Sequence, residues 1–413
     1  MAKAEIRAGD YDPLRPDVRV DPYPYYAALR RETRVHQVTP GVPFYCVARY
    51  DDVLFVVSHP ETYSSDALRG PSRDRTVSLF PNSDALADQR LFESAWLLGV
   101  DPPDHGRLRR LVSRGFTPRR IAGLEPRMRE IVSQCVGAVI DVGEMDLQRD
   151  LAVPFPVTVI AQLLGVEAER IEQFKHWSDA VAVGLSGFSQ EWSLGQIRDA
   201  FEEMADYIER MMAERRLRPR DDLITTLMQA EEGDVLSTSE VLAFVTLLLV
   251  AGNETTTNLI GNAMKALLRH PDQLAEVARE PALIPAMLEE TLRWESPVQG
   301  LARTVVRDTQ LCGTKLPKGA LLMVLFASAN RDERQFPDPD RFDVHRNPQG
   351  HLAFGQGIHF CLGASLARLE ARVAFEVLLE RCRSFELADE DVPFVESFFV
   401  RGPSRLRIRF ETA

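Results

Sequence analysis

The chain has 413 residues, 45% of them apolar and 27% charged, the balance of a globular protein with a large core and not of a disordered one. A net charge of −12 and a pI near 5.3 exclude a general nucleic-acid binder, which carries a basic excess. Five cysteines (Cys46, Cys135, Cys312, Cys361 and Cys382), odd in number and without a Cys-x-x-Cys pair, indicate neither a disulfide framework nor a structural zinc site.

In chain order, the first hundred residues combine Pro-rich turns with apolar and aromatic pieces such as Val47 to Val57, which read as strands in a small mixed lobe. The opening Met1 to Asp10 has no apolar leader core. The most apolar run, Val241 to Gly252, is far shorter than the roughly 18 residues of a membrane span. A cytoplasmic chain without a membrane partner is therefore expected. Only five of the 49 basic residues are lysines, a bias that GC-rich coding explains and that hints at a bacterial source.

From about Arg107 the periodicity is helical: Leu108, Leu111 and Val112 share a face, as do Met128, Ile131, Val132, Cys135 and Val139. The clearest element starts at Ser237, where Ser-x-x-Glu forms a capping box with Glu240, and runs to His270-Pro271. At 1.5 Å per residue its ~30 residues span about 45 Å, and its apolar first half should be buried. A helix near Ala282 to Trp294 follows, then strand-like segments at Ala302 to Val306 and Ala320 to Phe326. A Pro/Asp-rich loop from Arg331 to Asn347, a Gly-rich loop and a final long helix from about Ala364 complete the chain. The pattern is mainly α with small β-sheets (α+β). With no repeat or linker, residues 1–413 read as a single domain.

Cys361 ends the Gly-rich loop just before the last helix. Unpaired N–H groups and the positive dipole end at a helix N-terminus bias a thiol there toward thiolate, the form that binds iron. A dinucleotide-binding reading of the same glycines fails, because Gly-x-Gly-x-x-Gly would need glycine where Phe360 stands. The segment Phe354-x-x-Gly357-x-His359-x-Cys361-x-Gly363 resembles the haem-binding signature of the cytochrome P450 family. That resemblance implies haem b, with Cys361 as the axial ligand of its iron and Phe354, Gly357 and Gly363 shaping the loop around it.

Further motifs extend the resemblance from about Asp101 to Gly363. Ala251-Gly252-Asn253-Glu254-Thr255-Thr256 resembles the oxygen-activation motif, in which small residues make room over the iron and an acid-alcohol pair, here Glu254 and Thr255, relays protons. Splitting O₂ needs two protons delivered into a site otherwise kept dry. Glu290-x-x-Arg293 resembles the family's structural pair, with Arg341 as its expected third member; spacing i, i+3 puts both charges on one helix face. His105 and Arg109, i, i+4 on one face, match the propionate-binding pattern, as do Arg303 and His359. Arg110, Arg114, Arg119 and Arg120 add a basic patch, read either as a solvated face or as a docking surface for an acidic electron-transfer partner.

The family alignment further implies pocket walls at Leu79 to Leu98, Val181 to Phe188, Leu247, Leu248 and Ala251, Val298 to Leu301, and Ser397 to Val400 with Phe398 and Phe399. Mostly apolar, they predict a lipophilic ligand. The implied protein is a monomeric monooxygenase that uses O₂ and electrons from a ferredoxin-type partner to hydroxylate or epoxidise its substrate. An H₂O₂-driven peroxygenase and a non-catalytic haem-thiolate ligand-binding or recruitment module are the alternatives.

Overall fold

The computed structural model describes residues 5–66, 96–186, 192–229 and 234–413, with the side chains of 182–186 left aside. The described residues form two compact units.

One unit comprises the described residues within 1–76, 262–361 and 392–404. Its centre is a five-stranded sheet in the order β1-β2-β8-β5-β3 (His36–Gln37, Phe44–Val47, Leu321–Val324, Leu301–Val305, Tyr63–Ser64). β2 and β8 run parallel, while the other neighbours are antiparallel. All four residues of both β2 and β8 are buried, as central strands covered on both faces require. The reading of Val47 to Val57 as strand needs correction. Only Phe44–Val47 is strand; Tyr50–Val57 is a helix whose Val53, Val56 and Val57 enter the core beneath the sheet while Phe55 stays exposed. Asp51 and Asp52 in its first turn suit the positive helix end, and the i, i+3, i+4 burial outweighs the β-propensity of its valines.

The second unit comprises the described residues within 77–261, 362–391 and 405–413. It is helical apart from a three-stranded sheet, β4-β10-β9 (Glu144–Asp146, Arg407–Thr412, Cys382–Leu387). Here the Glu125–Val139 helix packs on the final helix, Ala364–Arg381, and Ile171–Ser186 packs on Leu194–Leu217.

The long helix, Thr238–Arg269, has 32 residues, with its first part in the second unit and Asn262 onward in the first. Its capping box is formed as expected: the Ser237 amide donates to Glu240 at 2.8 Å and the Glu240 amide to the Ser237 hydroxyl at 3.2 Å. Burial is nearly complete from Val241 to Leu249, yet Leu248, Ala251, Glu254 and Thr255 keep accessible surface. Their spacing of three or four residues makes them one stripe.

Candidate active site

In the first unit the cysteine loop is set by its backbone. The Cys361 amide donates to the Phe354 carbonyl at 2.9 Å and the Phe360 amide to that of Gly357 at 3.1 Å, closing a short 3₁₀ turn, Gly357–His359. Gly355 and Gly357 have φ of +68° and +74°, a region that favours glycine. At Gly357 a Cβ would also meet the Val57 carbonyl oxygen at 2.9 Å. Cys361 is half-buried, and the other four thiols are poor candidates for a metal. Burial pushes Cys382 up to about 11 and raises Cys46 and Cys135; it also raises Cys312, which donates to Asp52, so all four favour the protonated form.

Behind this loop in chain order lies the buried pair on the Ile284–Trp294 helix. Arg293 grips Glu290 through two bonds of 2.7 Å, with both side chains fully buried. Its remaining N–H groups donate to the carbonyls of Asn330, Pro339 and Arg341. The third member of the cluster is not the Arg341 side chain, which is 69% exposed and faces Asp343. Arg346 takes the place, 3.1 Å from Glu290, and also donates to the Pro337 and Asp338 carbonyls. Arg341 supplies only a carbonyl. Turns closed by Arg341 N to Asp338 O and Arg346 N to Asp343 O decide which arginine points inward, and spacing alone could not.

Arg303, on β5, is buried and donates to the Ala302 carbonyl at 2.8 Å. Leu301 begins the same strand, and Val298 bridges antiparallel to Val400, so two of the expected pocket walls are joined directly. The Phe398 and Phe399 rings lie 3.9 Å apart, centroid to centroid.

A second buried cluster had no sequence signal. Glu295 receives Lys265 at 3.0 Å, Arg401 at 2.6 Å and the Tyr23 hydroxyl at 3.0 Å. Burial alone would raise this carboxyl, but Lys265 and Arg401 hold it well below the usual range; burial in turn pulls Lys265 down to about 8.

In the second unit, His105 and Arg109 share the Asp104–Ser113 helix, His105 on its buried side. Burial, then the charge of Arg109, lowers the His105 pKa and so favours its neutral imidazole. The neighbouring arginines are partly neutralised: Arg107 grips Asp234 and Glu240, Arg110 reaches Asp234 at 3.4 Å, and Arg120 lies 3.7 Å from Asp221. Arg114 donates to the Gln229 carbonyl.

On the long helix, burial pushes Glu254 up to about 7. The three consecutive threonines diverge. Thr255 donates back to the Ala251 carbonyl at 2.6 Å, Thr256 to Glu370 at 3.2 Å and Thr257 to the Ala152 carbonyl at 2.7 Å. Glu370, another residue without a motif, is pushed up to about 8 by burial. Gly252 faces Ile160, whose Cδ1 would lie 2.8 Å from a Cβ placed there. Of the expected walls here, Leu247 is buried, Leu248 half-buried and Ala251 exposed. Residues 79–95 and 187–188 lie outside the described residues, as do the side chains of 182–186.

The residues of the first unit fit a haem: a glycine-shaped loop ending in a cysteine, with the buried Arg303 in the same unit as a cation for a carboxylate. The comparisons agree. The family model for cytochrome P450 matches residues 185–410. Cytochrome P450 107B1 of Saccharopolyspora erythraea is 41% identical over 93% of this chain and 94% of its own length. The cytochrome P450 monooxygenase PikC of Streptomyces venezuelae is 40% identical over 97% and 94%. Among solved structures, CYP109Q5 from Chondromyces apiculatus superposes with a TM-score of 0.89 at 41% identity, covering 98% and 99% of the two chains. CYP109E1 from Bacillus megaterium, in complex with corticosterone, gives 0.84 at 36% identity over 95% and 99%. No described helix is long and apolar enough to cross a membrane. The chain belongs to the cytochrome P450 family, as a monooxygenase whose cofactor is haem b.

Proposed function

We propose that this monooxygenase hydroxylates or epoxidises a lipophilic small molecule with O₂, as a single-domain monomer drawing electrons from a ferredoxin-type partner. The bound haem supplies iron that activates O₂. Cys361 would hold that iron, and His105, Arg109, Arg303 and His359 would hold the propionates. Phe354 and Gly363 flank the loop, while Gly357 lets its backbone come close. Thr255, whose hydroxyl donates a hydrogen bond to the Ala251 carbonyl, offers an oxygen that accepts one. Glu254, with its pKa near 7, both holds and releases a proton at working pH. Leu247, Leu248, Ala251, Val298, Leu301, Phe398 and Phe399 supply an apolar wall, which excludes water and suits a lipophilic ligand. The steroid bound by one relative supports that class.

The observation that carries the reading is the cysteine loop, with its positive-φ glycines and the Cys361 amide bonded to the Phe354 carbonyl. The test is the reduced carbon monoxide spectrum. Cys361→Ala should lose the thiolate-type band and Thr255→Ala should keep it while wasting O₂ as uncoupled product. A thiolate-type band that survives in Cys361→Ala overturns the assignment.

A further inference from the structure

The Ser397–Val400 turn presents Phe398 and Phe399 and is paired through two isolated bridges, without a continuous ladder. One joins Val298 to Val400, with Gln299 N to Phe399 O at 2.7 Å and Arg401 N to Pro297 O at 2.8 Å; the other joins Phe394 to Pro403, with Val395 N to Gly402 O at 3.0 Å. Phe398 is buried, and beside it lies a hollow of only about 20 Å³, lined among others by Tyr11, Tyr26, Gln299 and Arg401. A slip of one residue moves a strand about 3.3 Å and turns each side chain to the opposite face.

The root of the turn is where the charges gather. Arg401 follows Val400 directly and meets Glu295 at 2.6 Å, while Lys265 meets the other carboxylate oxygen at 3.0 Å. The Asn262 amide donates to the carbonyls of both Glu295 and Arg401, at 3.0 and 2.9 Å. Phe394 lies 4.1 Å from the Lys265 nitrogen and 4.0 Å from the Arg401 guanidinium. Tyr23 donates to Glu295 and carries the Arg331 guanidinium 3.6 Å above its ring. Buried ion clusters are weak contributors to stability compared with apolar packing, and their better-attested use is to specify register. A one-residue slip would carry the Arg401 guanidinium out of reach of Glu295.

We propose that Lys265, Glu295 and Arg401 are positioning residues that lock the register of the Phe398–Phe399 turn and so determine which bulky ligands the pocket admits. The proposal rests on the reading of Phe398 and Phe399 as pocket wall. Its test uses the haem-loaded protein and two iron-binding probes followed by the Soret shift: imidazole, which reports access to the iron, and 1-dodecylimidazole, whose chain reaches the walls. Arg401→Met is expected to weaken 1-dodecylimidazole about ten-fold and imidazole less than about two-fold, with Arg401→Lys restoring most of the loss. Equal weakening of both probes, no weakening of the long one, or no restoration by Arg401→Lys overturns the register lock. Should Arg401→Met fail to load haem, Glu295→Gln is judged by the same limits. Phe399→Ala tests the premise separately. If it leaves 1-dodecylimidazole binding unchanged, the pocket-wall reading fails, whereas a loss there without one in Arg401→Met overturns only the positioning role.

Discussion

Glu290 and Glu295 lie within six residues of each other, and each is a buried carboxylate held by two cations, yet they are built in different ways. Glu290 finds Arg293 one helical turn away and Arg346 in the following loop, and main-chain carbonyls absorb the spare N–H groups. Glu295 draws Lys265 from the long helix, Arg401 from near the C-terminus and Tyr23 from the N-terminal lobe. The first cluster is all guanidinium, permanently charged and geometrically forked; the second includes an ammonium that burial has brought within reach of neutral. A locally closed cluster braces the fold, while one that gathers distant segments fixes their mutual register.

If that contrast holds, damage to the Glu290 cluster should be the costlier in stability. Arg293→Met strands a fully buried carboxylate and should cost about 3–5 kcal/mol in chemical denaturation of the haem-loaded protein. A loss below about 1 kcal/mol would mean that water or Arg346 alone can satisfy Glu290. Arg346→Met removes one of two cations and should cost about 1–3 kcal/mol by the same measurement.

A third carboxylate extends the comparison, because burial and not an ion pair shifts Glu254 up to about 7. The sign follows: its proton is held below that pH and lost above it, so product formed per O₂ consumed should fall roughly ten-fold from pH 6 to pH 8. Glu254→Gln should flatten that limb, and a mutant that keeps the wild-type profile rules this residue out as its source. The smallest effect belongs to Arg341→Met, within about 0.5 kcal/mol, since its side chain is exposed and only its carbonyl is used. A larger loss there than in Arg346→Met would reverse the assignment.

Features carried by adjacent residues were legible before the structure. Ser237 and Glu240 mark the start of the long helix, and the glycines, histidine and cysteine of 354–363 mark the loop, because each pattern closes within a turn or two of chain. Val47 to Val57 misled because valine-rich runs fit a buried helix face as well as a strand, and only the sheet beneath decides. Choosing Arg346 over Arg341 depended on loop turns, and the Glu295 cluster on tertiary closure. No periodicity encodes either.

Gly357 carries one more consequence. Its missing Cβ leaves the cysteine loop against a carbonyl at the end of the Tyr50–Val57 helix, main chain against main chain. Side chains can repack around a substitution, but a peptide plane held in a helix cannot. The height of the loop is therefore gauged by a rigid stop, and a sequence change can raise or lower it only by moving the whole helix.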